Sequence, residues 1–359
     1  MHKFAFLVHL RDYRDDLGGL ARPLGWLPES VYRFILNKRP LPPFIWSEVT
    51  VTPGATEPEG FIIMLPYSGR QVVEQPKQML VMIKKAARLA SEKGAKIMGL
   101  GALTSTVTLG GKLIADNPHI SITNGNAYTA VILHSKIVQL IQRFPSCRPV
   151  IAIVGATGSV GSLVCMMLAR YNPAAQYLLI ARNDRRMNKL ADEMALDSKN
   201  VVVVVSTDME DAVKADMVVL VTSSPESLIQ ARHLKPNAII LDATQPRNTS
   251  AALHQERPDV TIIDGGLTAI THLKTNTIGR FGLPEGISFA CLAETLLLAM
   301  DDYQHDFSIG NPTLRQAEEI SKLAHKYAHL GFGLAPDHSF GKPLVHSSDS
   351  NYHTSDTLL

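Results

Sequence analysis

A cysteine lies near the start of a strongly apolar segment in the C-terminal part of the chain. Cys291 follows Ser288 within a predicted helix over 287–303. If Ser288 caps this helix, Cys291 occupies the first turn, where exposed N–H groups and the helix dipole stabilise a thiolate and lower its pKa. Cys291 is therefore a candidate nucleophile. The alternative is a buried core cysteine, because cysteine is among the most buried residue types.

A glycine-rich turn is the second feature that could carry chemistry. The apolar run 150–154 leads into three glycines, and a helical pattern over 162–170 follows them. A strand, a glycine turn and a helix N-terminus together present backbone N–H groups to a pyrophosphate. The sequence therefore predicts a dinucleotide site. Its candidate residues in the turn are Gly155, Thr157, Gly158, Ser159, Val160 and Gly161.

The residues after the next predicted strand indicate which dinucleotide binds. Arg182 follows the strand at 177–181, about 20 residues past the glycines, where the residue that reads the ribose is expected. NAD sites usually carry an acid there, whereas guanidinium groups suit a 2′-phosphate. Arg182, together with Asn183 and Arg185, therefore favours NADPH, and Asp184 keeps NAD open as the alternative.

Other polar residues fall where strands are predicted to end. His272 follows the last strand of the nucleotide-binding part and is a candidate general acid, with a surface loop histidine as the alternative. Thr222 and Ser223 end a strand and are expected to flank the cofactor. Asp242 ends another strand, where it either contacts the cofactor or caps a turn.

Composition limits the class of protein. The chain has 359 residues, 45% of them apolar, and a formal net charge of +2. This length favours two domains, and the charge balance gives no broad electrostatic footprint for nucleic acid. The three cysteines (Cys147, Cys165 and Cys291) have neither zinc-site nor disulfide-framework spacing, so no metal is expected. The apolar run 4–10 is too short to span a membrane, and we expect a soluble, cytoplasmic protein.

The elements that must position these residues follow an alternating pattern. Strand candidates lie at 150–154, 177–181, 201–205, 217–222, 238–242 and 260–264, with helical patterns between most of them. This alternation predicts an α/β fold with a Rossmann-like doubly wound parallel sheet. The run of five valines at 201–205 fits a strand that is buried on both faces.

The predicted domain order places the dinucleotide site in the middle of the chain. We expect a mixed α/β substrate domain over 1–145 and an NADP-binding Rossmann domain over 146–275. C-terminal helices over 276–340 are expected to pack back on the cleft and to carry Cys291. The polar stretch 341–359 has no periodicity and is expected to be a disordered tail.

Three motifs together resemble a known family. Phe-Ala-Cys-Leu-Ala-Glu at 289–294, taken with the glycine turn and Ala-Arg-Asn at 181–183, resembles the fatty acyl-(acyl-carrier-protein) reductases of the cyanobacterial type. The resemblance runs in consistent order over roughly residues 45 to 335. It implies that NADPH reduces an acyl thioester, carried by acyl carrier protein or CoA, to a fatty aldehyde. It also implies that Cys291 carries the acyl group as a thioester.

The same resemblance implies which loops face the substrate. The chain departs from the family pattern in these loops. The candidate substrate residues are Thr104, Ser105, Asn126 and Tyr128. Tyr128 stands where the family usually has histidine, and no glutamate follows the Thr-Ser pair before Gly111. Asp-Ala-Thr-Gln-Pro at 242–246 replaces a sequence closer to Asp-Gly-Gly-Tyr-Pro. The chain is therefore identified as a divergent member, with acyl length and carrier left open.

Two other functions remain open from the sequence. A shikimate-type dehydrogenase also has a substrate domain before a nucleotide domain, and it needs a Lys/Asp pair, for which Lys112 and Asp116 are present. A nucleotide-binding sensor without turnover is the second alternative. The chain has no Gly-Lys-Ser/Thr phosphate loop for ATP, so a thioester that is already activated is the natural acyl substrate.

Overall fold

The chain forms two compact units, each built from more than one stretch of sequence. The computed structural model describes residues 1–11, 13–20, 22–145, 148–172, 175–224, 228–245, 247–276 and 281–344. The first unit comprises Met1–Gly125, Ile270–Gly310 and Leu323–Phe332. The second unit comprises Asn126–Ala269, Asn311–Lys322 and the segment from Gly333. The change of unit after Gly125 precedes the boundary at 145 that the sequence suggested.

The first 125 residues contain five strands and five α-helices within the described part of the chain. In order these are β1 (Lys3–Leu10), α1 (Tyr13–Leu20), α2 (Glu29–Lys38), β2 (Phe44–Thr50), β3 (Gly60–Ser68), α3 (Gly69–Glu74), α4 (Pro76–Glu92), β4 (Ala95–Leu100), α5 (Leu103–Val107) and β5 (Ser121–Thr123). A 3-10 helix, Arg22–Trp26, lies between α1 and α2.

Residues 126–269 continue with α6 and then alternate between strands and helices. The elements are α6 (Asn126–Ile141), β6 (Val150–Val154), α7 (Ser159–Tyr171), β7 (Gln176–Ile180), α8 (Asp184–Asp197), β8 (Val202–Ser206), β9 (Met217–Leu220), β10 (Ile239–Asp242), α9 (Ala251–Glu256), β11 (Thr261–Asp264) and β12 (Leu267–Ala269). Two short 3-10 helices, Met209–Lys214 and Ala231–His233, complete this stretch.

The remaining described residues add two helices and several short strands. They are β13 (Lys274–Thr275), β14 (Ile287–Phe289), α10 (Ala290–Met300), α11 (Leu314–Lys326), β15 (Gly333–Leu334), β16 (His338–Ser339) and β17 (Lys342–Pro343). A 3-10 helix, Ala328–Leu330, follows α11. Among all described residues, no helix is both long enough and apolar enough to cross a bilayer.

A mixed six-stranded sheet forms the centre of the first unit. The strand order is β13-β2-β3-β1-β4-β5, in which β1 runs parallel to β3 and β4, and β2 runs antiparallel to β3. The helix α4 covers part of this sheet with the apolar face that its periodicity predicts, and Pro76 occupies its first turn. Gly94 follows its end with a φ of +86°, a conformation that glycine adopts without strain.

The second unit contains the doubly wound sheet that the alternating pattern predicts. All six strands are parallel in the order β11-β10-β9-β6-β7-β8. Chain order reverses between β6 and β9, which makes this pair the topological switch point where ligands bind in such sheets. The α/β, Rossmann-like fold class is therefore confirmed.

The valine strand is exposed on one side, contrary to the prediction for 201–205. It forms β8, the last strand of the sheet, where α8 packs on it. Val202 and Val204 are exposed, while Val203 and Val205 are partly buried. A strand at the sheet edge meets its neighbours on one side only, so a run of five valines does not by itself identify a fully buried strand.

The segment from Gly333 to Leu344 is held against the second unit. The strand β15 pairs with β12, and Asp337 accepts hydrogen bonds from Lys136 and Arg143 at 2.7 and 2.9 Å. The amide of Gly341 donates to Asp264 at 2.7 Å. Residues 341–344 are thus ordered by contacts that the sequence prediction of a tail from 341 did not include, and residues 345–359 lie outside the described chain.

Candidate functional site

The glycine turn lies at the switch point of the parallel sheet. Gly155 follows β6 with a φ of +90°, and its N–H donates to the carbonyl of Ile180 at 2.8 Å. A Cβ atom built on Gly155 would lie 2.9 Å from the backbone nitrogen of Thr222. A Cβ on Gly161 would lie 2.4 Å from the carbonyl oxygen of Gly155. Both positions therefore require glycine, Gly155 for the tight turn after β6 and Gly161 for the close packing of α7 against this turn.

The helix after this turn begins without a side-chain cap. Gly158 is the N-cap of α7 and, as a glycine, provides no side-chain cap. Asn126 donates through Nδ2 to the hydroxyl of Ser159 at 2.8 Å. Thr157 lies in the turn and Val160 in the first turn of α7, and both are partly exposed. An uncapped helix N-terminus beside a glycine turn is a suitable site for a pyrophosphate.

The predicted ribose-binding residues lie just after β7. Arg182 occupies an exposed bend two residues past the end of the strand. Asn183 caps α8, because its side-chain oxygen accepts the N–H of Arg186 at 3.0 Å. Arg185 is exposed in the first turn of α8. In the described part of the chain, neither Arg182 nor Arg185 forms an ion pair, so both guanidinium groups face solvent where a 2′-phosphate would add charge complementarity.

The strand-end residues of β9 and β10 differ in how far they are already engaged. Thr222 and Ser223 follow β9, and the hydroxyl of Thr222 accepts the N–H of Ser224 at 3.1 Å. The carboxylate of Asp242 is buried and accepts five hydrogen bonds from the loop after β10. Asp242 thus organises its own loop, which is the turn-capping alternative that the sequence left open.

These features fit a dinucleotide cofactor. The two positions that exclude a Cβ, the uncapped start of α7 and the exposed arginines after β7 correspond to the pyrophosphate and ribose ends of such a molecule. NADPH is therefore the cofactor that the second unit accommodates.

The nucleophile candidate lies in the first unit, at the start of α10. Ser288 is part of β14, so the N-cap is Phe289 and Cys291 is the second residue of the helix. The predicted Ser288 cap is therefore absent, because extended backbone continues through that residue. Cys291 is partly accessible and carries a free thiol. It still lies in the first turn, as the sequence predicted.

The thiol of Cys291 is not acidified by its position. Burial raises the pKa of the thiol to about 12, although the N–H of Leu292 hydrogen-bonds to the sulfur and opposes the rise. The negative charge of the Glu294 carboxylate raises the pKa of the thiol further. The expectation of a lowered pKa fails because loss of hydration outweighs the helix-end contribution.

The backbone around Cys291 is closely packed. A Cβ on Gly125 would lie 2.3 Å from the Cβ of Cys291, and Gly125 has a φ of +75°. The hydroxyl of Thr295 donates to the carbonyl of Cys291 at 3.1 Å. A glycine is therefore required at 125, because any side chain would occupy the space of Cys291.

A buried glutamate lies one turn from the cysteine. Glu294 is fully buried on α10, and its carboxylate accepts the hydroxyl proton of Thr123, which is also buried. Glu294 ends the Phe-Ala-Cys-Leu-Ala-Glu motif at 289–294, and no role was predicted for it. Its i, i+3 spacing from Cys291 was the available signal, since residues three apart share a helix face. Gly125 gave no local signal, because its partner is 166 positions away in the sequence.

A narrow apolar cleft opens beside the start of α10. Its lining includes Val49, Ile62, Leu273, Leu283, Ile287 and Leu292. The enclosed space is about 10 Å³, which holds about one water molecule. Ser288 and Leu292, which flank Cys291 in sequence, both contribute to this lining. Thr275 and Glu285 also line the cleft, whereas Cys291 does not. Side-chain movement would have to widen this space before it could hold a chain of methylene groups.

The remaining sequence-predicted residues differ in their exposure. His272 lies in an exposed turn of the first unit. The hydroxyl of Thr104 is buried and donates to Gly101, and Ser105 is partly buried on α5. Tyr128 is fully buried on α6, and burial raises the pKa of its hydroxyl. The predicted substrate contacts of Thr104, Ser105, Asn126 and Tyr128 remain predictions. Cys147 lies outside the described residues.

Comparisons with known proteins relate the chain to oxidoreductases. The family model for shikimate / quinate 5-dehydrogenase matches residues 139–264, within the second unit. The long-chain acyl-[acyl-carrier-protein] reductase of Synechococcus elongatus is 25% identical over 223 residues, which are 59% of this chain and 62% of that protein. The aminotransferase PigE of a Serratia species is 27% identical over 358 residues, which are 95% of this chain and 41% of that protein.

One solved structure that aligns with this chain is quinate dehydrogenase from Corynebacterium glutamicum in complex with NAD. It aligns over 72% of this chain and 86% of its own, at 13% identity and a TM-score of 0.35. The chain spans less than two thirds of the length of both curated relatives. The relationship to the acyl-[acyl-carrier-protein] reductase and the match to the dehydrogenase model support an NAD(P)-dependent oxidoreductase.

Proposed function

We propose that the protein reduces an acyl thioester to an aldehyde with NADPH, through an acyl group bound covalently to Cys291. The observation that carries this proposal is the position of Cys291 in the first turn of α10, with the N–H of Leu292 on its sulfur. Ser288 and Leu292, close to Cys291 in sequence, line a mostly apolar cleft. The distant relationship to the long-chain acyl-[acyl-carrier-protein] reductase of Synechococcus elongatus adds support.

The acyl-transfer step uses groups of this chain. The sulfur of Cys291 attacks the thioester carbonyl carbon, the carrier leaves as a thiol with the proton that Cys291 loses, and a new thioester forms on Cys291. The N–H groups of the first turn of α10 are oriented to stabilise negative charge at this end of the helix. We expect the first carbons of the acyl chain to enter the cleft that Ser288 and Leu292 line, once side-chain movement has widened it.

The reduction step requires a hydride donor. NADPH, when bound at the glycine turn, supplies the hydride that converts the acyl thioester to an aldehyde. Cys291 departs from the carbonyl carbon as a thiolate and regains its proton, which its raised pKa favours. Because Cys291 holds the acyl group covalently, the substrate stays bound between the two steps.

The test is direct detection of the covalent intermediate. The protein is incubated with palmitoyl-CoA without NADPH, and mass spectrometry of its peptides is expected to find the acyl mass on Cys291. With NADPH, aldehyde should form and absorbance at 340 nm should fall. Cys291→Ala should lose both acylation and aldehyde formation. Cys165→Ala, which removes a buried thiol from a distant part of the sequence, should retain both. Turnover that persists in Cys291→Ala contradicts the proposal.

A second candidate function is favoured by the family match over 139–264. A shikimate-type dehydrogenase would oxidise a hydroxyl of a polyol acid with NADP, and it needs a Lys/Asp pair. Lys112 and Asp116 are both exposed in the segment after α5 and form no ion pair with each other. NADP-dependent oxidation of shikimate or quinate that is lost in Lys112→Ala would support this candidate over acyl reduction.

A further inference from the structure

A group of large apolar side chains lies exposed on one segment of the first unit. We call Trp26, Leu27, Val31, Phe34 and Ile35 the apolar patch. Trp26 is 78% exposed, Phe34 61% and Ile35 49%. Single exposed apolar residues are ordinary, but soluble proteins rarely leave several aromatic and branched side chains uncovered within ten residues. Such a patch indicates an interaction surface.

Helix geometry separates the patch from the packing of α2. Val31, Phe34 and Ile35 have i, i+3, i+4 spacing and share one face. Leu36 is buried, and Tyr32 stacks on Tyr13 with ring centroids 4.7 Å apart, so the opposite face already anchors the helix. The apolar residues of the outer face therefore do not serve to attach α2 to the rest of the unit.

Three cations without an acidic partner in the described part of the chain lie near the patch, and α2 carries one acidic residue. Arg22, Lys38 and Arg39 are exposed and form no ion pair within the described residues. The ammonium group of Lys38 lies 4.3 Å from the ring centroid of Phe34. Glu29, the acidic residue of α2, accepts a hydrogen bond from Ser68 at 3.1 Å. The patch is thus flanked by cations that a negatively charged partner surface would neutralise.

We propose that the apolar patch is an interfacial membrane-binding surface that inserts its side chains into the headgroup layer of an anionic bilayer. Aromatic and branched side chains on one helix face, with lysine and arginine beside them, are the combination that binds such an interface. A symmetric pair of copies joined through this face would bring the same cations together, which opposes self-association. The inference does not depend on the reaction proposed above.

Vesicle binding of the full chain tests this surface. Vesicles of phosphatidylcholine, with and without about one third phosphatidylglycerol, are sedimented with the protein. Trp26→Ser combined with Phe34→Ser should weaken binding to the anionic vesicles about tenfold or more. Leu196→Ser combined with Val204→Ser, which removes exposed apolar side chains from the second unit, should leave binding unchanged. Circular dichroism verifies that both double variants remain folded.

Tryptophan fluorescence gives an independent readout. The chain has two tryptophans, and Trp46 is buried. A blue shift on adding anionic vesicles should therefore come from Trp26 and disappear in Trp26→Phe, while Lys38→Glu with Arg39→Glu should weaken binding even if the serine variant fails to fold. Failure of the native chain to bind anionic vesicles overturns the proposal. A dimer that the serine variant dissociates, without vesicle binding, assigns the patch to a second copy of the chain instead.

Discussion

The thiol of Cys291 combines a helix N-terminus with an environment that keeps it protonated. Loss of hydration and the nearby carboxylate of Glu294 raise its pKa, and the N–H of Leu292 only partly offsets this. The proposed acyl transfer therefore begins from a neutral thiol at physiological pH. A thiol of this kind is protected from oxidation, since the thiolate is the reactive form.

The pH dependence of Cys291 follows from this raised pKa. With a pKa of about 12, the thiolate fraction rises about tenfold per pH unit between pH 7 and pH 10. Alkylation of Cys291 by iodoacetamide should rise in parallel and show no plateau near pH 9, where an ordinary cysteine levels off. Mass spectrometry of the modified peptide at several pH values measures this. Glutathione in the same mixtures is the reference, and a plateau below pH 9 contradicts the expectation.

Gly125 is the residue whose substitution should disturb Cys291 most directly. The backbone of residue 125 has a φ of +75°, which strains any residue other than glycine. In Gly125→Ala the new methyl group would also lie 2.3 Å from the Cβ of Cys291. We expect a loss of about 3 kcal/mol or more in the free energy of unfolding, together with loss of acylation.

Gly54→Ala is the matched control for this substitution. Gly54 has a φ of +82° but no atom within 4 Å of an added Cβ, so only the backbone penalty of about 1 kcal/mol applies. Urea unfolding and acylation assays on the two variants separate the effects. Equal losses in both variants would mean that contact with Cys291 contributes nothing.

The elements of the second unit were largely predictable from sequence, because each strand carries its own apolar run and turn. All six parallel strands lie within two residues of the predicted ranges. The burial of β8 was not predictable, since position at the sheet edge depends on strand order rather than on its valines. The contact between Gly125 and Cys291 was equally hidden, because it joins residues from two distant segments.

The turn after β7 sets the expected choice between NADPH and NADH. Arg182 is exposed and has no ion pair within the described chain, so a 2′-phosphate would gain a charge-assisted contact there. Arg182→Ala should raise the Kd for NADPH about tenfold or more and leave the Kd for NADH unchanged. Titration of cofactor fluorescence measures both constants.

Arg186→Ala provides the control for this turn. Arg186 is exposed on the first turn of α8, and its backbone N–H bonds to Asn183, a contact that alanine retains. The substitution should change the Kd for NADPH by less than about threefold. If Arg186→Ala weakened NADPH binding as much as Arg182→Ala, the effect would come from the overall positive charge at the start of α8 and not from Arg182 itself.

At the scale of the whole molecule, the second unit is completed from both ends of the nucleotide-binding segment. The helix α6 precedes β6 and packs on α7, while β15 pairs with β12 after a long excursion of the chain. The residues whose pattern predicts the nucleotide-binding fold are therefore fewer than the residues that form the second unit. The family match over 139–264 begins inside α6, so it also omits the start of α6 and the segment from Gly333.

The segment from Gly333 to Leu344 should therefore be essential for the stability of the second unit. Ending the chain at Phe332 removes the pairing of β15 with β12. It also removes the amides of Phe340 and Gly341 that donate to Asp264. The buried ammonium group of Lys136 loses its ion pair with Asp337. The ion pair alone predicts a loss of about 3–5 kcal/mol in the free energy of unfolding. Ending the chain at Leu344 retains each of these contacts and should cost less than about 1 kcal/mol. Urea unfolding of the two truncated chains distinguishes them, and equal stability of both would show that the second unit does not need this segment.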